Sequence, residues 1–90
     1  MEEIKSQYLL LLSEIISKGI VIFGPDMALS VAEGINGLVL DNNGNVTDIQ
    51  GYIADTTKAL IDEYMKLSDQ SIKNAIDLVF AKYPQIKRIG

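Results

Sequence analysis

The densest group of oxygen-bearing side chains lies in one stretch, LDNNGNVTD at 40–48, where two aspartates and three asparagines surround a glycine. Such a set could hold a calcium ion, serve as a catalytic acid pair, or simply close a turn. With Asp41 as the first ligand of a calcium loop, Asn43 and Asn45 fall at the third and fifth positions as acceptable donors. The sixth position, which requires glycine, is then Val46, and the twelfth, which requires a bidentate glutamate, is Tyr52. Sliding the frame to make Gly44 sixth puts Val39 first and Gln50 twelfth, a worse match. The spacing excludes an EF-hand.

Other chemistry is equally constrained. The 90 residues contain neither cysteine nor histidine. Disulfides, thiolate nucleophiles and thiolate zinc sites are therefore excluded, and the usual general base near neutral pH is missing. Acid pairs such as Glu2/Glu3 and Asp62/Glu63 are sequence neighbours, which point in different directions on a helix and read as solvated faces. A glycosidase-type pair would have to be assembled from distant carboxylates facing each other across a cleft. No nucleophile motif, phosphate loop or metal-ligand spacing is present, so no catalytic, cofactor or metal residue is assigned. An acidic enzyme without histidine is the least favoured of three readings.

Net charge is −4, the wrong sign for neutralising many phosphates, and no nucleic-acid partner is expected. The C-terminal bases Lys82, Lys87 and Arg88 suit the negative end of a helix dipole. The acidic start MEEIK does not resemble a secretory signal, and the apolar runs YLLLL and IVIF are far shorter than the ~20 residues of a membrane span. The expectation is a cytoplasmic protein without a membrane partner. Hydrophobic residues make up 48% of this short chain, and small domains have much surface for their volume. Some of that apolar surface should therefore face a partner.

The elements that would position these residues read as helix, helix, β-hairpin, helix, helix: a mostly helical α+β domain over residues 1–90. Residues 2–18 form a helix with acids in its first turn and Lys18 in its last. Ile4, Tyr8, Leu11, Leu12 and Ile15 make one stripe, Leu9, Leu12 and Ile16 a second, and Leu10 faces elsewhere. A surface helix needs only one stripe. Residues 20–23 are β-branched or aromatic and fit either a short strand or a buried connector. Pro25 and Asp26 start the next helix, which stops at Gly34 or Gly37 by left-handed glycine geometry.

GLVLD and NVTDI read as strands around a three-residue Asn42-Asn43-Gly44 loop. That loop pairs Asp41 with Asn45, Leu40 with Val46 and Val39 with Thr47. It makes the opening stretch a turn. The strand–DNNGN–strand phrase resembles one in small sensor domains of the PAS type over about a dozen residues. PAS domains need several further strands, and none follows here. A lone hairpin is marginal in water, so it must lie on helices or add its edge to another chain. A third helix, in residues 51–67, is capped by Asp55 or Thr56. A fourth is capped by Ser68, carries the stripe Ile72, Ala75, Ile76, Val79, Phe80 and Tyr83, and is ended by Pro84.

The favoured function is a small non-catalytic interaction or regulatory domain acting through self-association, as a homodimer or against another protein. Its interface residues are Leu9, Leu10, Ile16 and Val39. The alternative is a ligand-binding module with an apolar pocket between helices, lined by Phe23, Met27, Tyr64 and Phe80. Aromatic and methionine side chains more often fill ordinary cores, so these four read first as interior packing.

Overall fold

A computed structural model describes residues 2–86. Its elements run α1 (Glu2–Phe23), α2 (Pro25–Glu33), β1 (Leu38–Leu40), β2 (Val46–Ile49), α3 (Ile53–Leu67) and α4 (Asp69–Ala81). This is the mostly helical α+β order, α-α-β-β-α-α, with one antiparallel hairpin at its centre.

The first helix is longer than its sequence suggests. Residues 20–23 are its last turn, not a strand or connector, and Lys18 lies inside it. Gly19 and three β-branched residues, Ile20 to Ile22, lower the local helix propensity. Packing overrides them: a Cβ on Gly19 would sit 2.9 Å from the Tyr64 ring, so the glycine lets α1 lie directly on that ring. The chain breaks at Gly24 (φ +89°), and Pro25 opens α2 at once. At ~1.5 Å per residue a helix of this length is ~33 Å long. That equals the longest dimension of the molecule, 33 Å.

Every other layer packs on this helix: α1 touches α2, α3, α4 and β2. Leu11, Leu12, Ile15 and Ile16 are completely buried, meeting Ala28 and Ala32 of α2, Leu60 and Tyr64 of α3, and Ile72, Ile76 and Val79 of α4 in one core. Tyr64 carries a polar atom into this core. Its hydroxyl donates to the Ala28 carbonyl at 2.8 Å, joining α3 to α2.

The hairpin lies on helices, with α1 against β2 and α2 against β1. The Leu40–Val46 pairing next to the turn is as expected. Farther out the register slips: Val39 pairs with Asp48, not Thr47, and Leu38 with Ile49. Thr47 is the extra residue of a β-bulge. The slip has a physical cause. Val46 and Ile49 are both buried, yet three residues apart, which regular alternation cannot achieve. One inserted residue turns both inward and leaves Asp48 outside.

Helix ends also depart from expectation. Helix α2 stops at Gly34, which stays right-handed (φ −80°). Gly37 takes the positive φ, where any Cβ would stand 2.3 Å from the Gln50 carbonyl oxygen. Helix α3 begins at Ile53 behind Tyr52, placing Asp55 and Thr56 inside it rather than at its cap. Ser68 does occupy the N-cap position of α4, without a side-chain capping bond. That helix ends at Ala81, before Pro84, through tight turns from Lys82 N–H to Val79 and Tyr83 N–H to Phe80.

Candidate functional site

The opening acids do not converge. Gly44 has φ +85° and donates its N–H to the Asp41 carbonyl, completing the three-residue loop. One Asp41 carboxylate oxygen accepts the N–H groups of Asn43 and Asn45, both at 2.9 Å, and the other accepts Asn45 Nδ2 at 3.2 Å. These bonds, led by the Asn45 backbone, hold the Asp41 carboxyl below its ordinary value. Asp48 instead pairs with Lys5 of α1 at 2.6 Å, and that contact lowers its pKa. One aspartate organises a turn and the other staples the hairpin to α1. Among the described residues no group of three acids could hold a metal ion.

A second carboxylate, Glu14 on α1, gathers the end of α4. It accepts from Lys82 Nζ at 2.8 Å through one oxygen and from the Tyr83 hydroxyl through the other. The Lys82 and Tyr83 hydrogen bonds hold the Glu14 carboxyl below its usual 4.5. The Tyr83 hydroxyl is pushed up to about 12, chiefly by its bond to Glu14. Lys82 is thus committed to α1 rather than offered to a phosphate, and Lys87 and Arg88 lie outside the described residues.

The four proposed pocket residues divide. Tyr64 is fully buried, its ring centroid 5.7 Å from that of Phe23. Burial pushes its hydroxyl up to about 12. Phe80 is half-buried against the core. Only Phe23 and Met27 line a common groove, an open one of about 490 Å³ at the α1–α2 break, together with Gly24, Pro25, Asp26 and Ser30. Tyr64 fills the space behind this groove and is a core residue.

The four proposed interface residues divide as well. Ile16 is completely enclosed by the protein's own fold and has no surface to present to another chain. Leu9 packs partly against the core. Val39 is half-buried on the hairpin. Leu10 is 57% exposed. The other large exposed apolar side chains among the described residues are Val21 (82%) on α1 and Leu78 (66%) on α4, with Tyr52 before α3, Met27 on α2, Ile4 on α1 and Leu67 on α3. Val21 follows Leu10 by eleven residues, just over three full turns, and shares its face once α1 is known to continue past Gly19. That continuation was the missing signal.

Helix α1 is also the one helix among the described residues long and apolar enough to cross a bilayer, over the 20 residues Ile4–Phe23. Short apolar runs concealed this property, because the groups KSQ, SE and SKG interrupt them. Length and composition alone are weak evidence for a span, and here the buried side of α1 forms the middle of the core.

No protein-family model matches the chain, and neither a curated protein nor a solved structure is significantly similar to it.

Proposed function

We propose that this protein is a small non-catalytic interaction domain that acts through self-association as a homodimer. The observation that carries this reading is the outer side of α1. A helix whose inner residues are completely buried also presents Leu10 and Val21 to solvent, with Leu78 on the adjoining α4. Water-facing leucine and valine at these exposures are stabilised when a second surface covers them, by roughly 25 cal/mol per Å² of apolar area removed. In this reading the domain works in the cytoplasm, with the apolar length of α1 divided between core and interface. The open groove at Phe23 and Met27, backed by a filled interior, favours this reading over an enclosed ligand pocket.

Absolute mass by light scattering over a wide range of protein concentration tests it. Twice the chain mass, reached reversibly as concentration rises, is the expected result. A single-chain mass at every concentration overturns it.

A further inference from the structure

We propose that the outer face of α1 packs on the same face of a second copy, the two helices running antiparallel about a two-fold axis between Glu14 and Ser17. This deepens the self-association reading and rests on it.

The stripe has the right shape. Leu10 and Val21 lie ~16 Å apart along the helix and about 20° apart around it, at ~3.6 residues per turn. Ser17, which is exposed, lies between them, while Ser13 turns to the hairpin and accepts the Val46 N–H at 2.8 Å. The short side chain of Ser17 allows another helix to come close, and the two apolar residues give it somewhere to seat.

Charge selects the occupant and the direction. The chain has net charge −4, so two copies repel over most of their surface. This face is different. Glu14 sits beside Lys18, which adds to the lowering of its pKa, and beside Lys82, 2.8 Å away. It therefore carries both signs. A two-fold contact brings one patch against its own copy and must be self-complementary. In an antiparallel pair, setting Leu10 over Val21 of the second copy does so twice. The same register sets Glu14 of each copy opposite Ser17 of the other, about 1.5 Å along the axis from the level of its Lys18 and on the same side of the helix pair. In a parallel pair these charges fall on opposite sides and do not meet. One register therefore satisfies the apolar and the charged residues together.

Leu78 extends the contact. The fourth helix starts at the end of α1 where Tyr64 meets Phe23, and it runs back until Lys82 and Tyr83 reach Glu14. Leu78 precedes Lys82 by one turn and so lies on the flank that Lys82 extends towards α1.

The absence of cysteine makes the test clean. Chains carrying Leu10→Cys and Val21→Cys are purified separately, then oxidised mildly alone and as a mixture, with Tyr52→Cys as an exposed control. The expected result is a covalent dimer in the Leu10→Cys and Val21→Cys mixture at several times the yield of either chain alone, and none above background with the control. Dimer formation by Leu10→Cys alone would mean parallel packing and overturn the proposal. If the unsubstituted protein has a dimer's mass but no pair cross-links, self-association stands and this geometry falls. If it is monomeric throughout, both fall.

Discussion

The two sides of α1 both carry leucine and β-branched side chains, and these play opposite roles. Leu11, Leu12, Ile15 and Ile16 are completely buried, whereas Leu10 and Val21 are 57% and 82% exposed. The side chains are of the same kinds, and neighbouring leucines in the run LLLL fall on different sides. What separates them is the angle at which each leaves the helix relative to α2, α3, α4 and the hairpin. Apolar content therefore shows that a helix wants covering on several sides; only the positions of its neighbours show which sides the chain itself covers.

Substitutions on the two sides should have separable effects. Leu12→Ala, on the inner side, is expected to cost ~2–5 kcal/mol, measured by chemical denaturation. A loss as small as that of an exposed residue would erase the distinction between the sides. Gly19→Val tests how closely α1 is seated on α3. Its Cβ would meet the Tyr64 ring at 2.9 Å, and overpacking of this kind costs ~1–3 kcal/mol. A neutral result would mean that α1 does not lie on that ring.

Glu14 stands at the border between the sides, and pH reports on it. Its folded pKa is depressed below 4.5, so the stability it contributes is present above that value and lost as pH falls through the folded pKa. Glu14→Gln should remove this part of the acid loss, leaving the part due to Asp41 and Asp48, whose pKa values are also lowered. At high pH the sign reverses. Tyr64 and Tyr83 are raised from 10.0 to about 12, so their contribution is complete below 10 and lost as pH rises through 12. Thermal melts of the parent and Glu14→Gln proteins across both limbs would show it, with a Glu14→Gln acid limb identical to the parent's as the contrary result.

The smallest effect on stability belongs to the outer side. Leu10→Lys and Val21→Lys should each change folding stability by no more than ~0.5 kcal/mol, as exposed substitutions usually do. Both should nevertheless abolish the dimer in light scattering. If they leave the assembly intact, the interface lies elsewhere on the molecule.

Much of the architecture was legible because local chemistry and tertiary structure agree. Asn-Gly chemistry marked the hairpin and its Leu40–Val46 register, Pro25 marked the start of α2, and the Ile72–Ile76–Val79 stripe marked the buried side of α4. The departures occur where packing overrides local preference. Gly19 reads as a place to stop a helix, yet here its missing side chain admits a tyrosine from 45 residues farther along the chain. The bulge at Thr47 was hidden by an expectation of strict alternation, although the spacing of Val46 and Ile49, with Asp48 between them, already conflicted with it. Among the candidate interface residues, the exposure of Leu10 was legible because it lay off both stripes. Ile16 was misplaced because an estimate of how much helix surface so short a chain can cover ignored that α1 has neighbours on several sides.

The bond from Tyr83 to Glu14 closes a loop of 69 residues. Synthesis proceeds from the N-terminus, at ~5–20 residues per second, so about 3–14 s separate the making of these two partners. Until that interval ends, α1 lacks the helix that finishes covering it. The most apolar helix of the fold is thus the first to be made and among the last to be enclosed. Chains growing side by side on one message would expose their α1 helices to each other before either had a complete core, and a copy met at that stage would be bound by the inner face as readily as the outer.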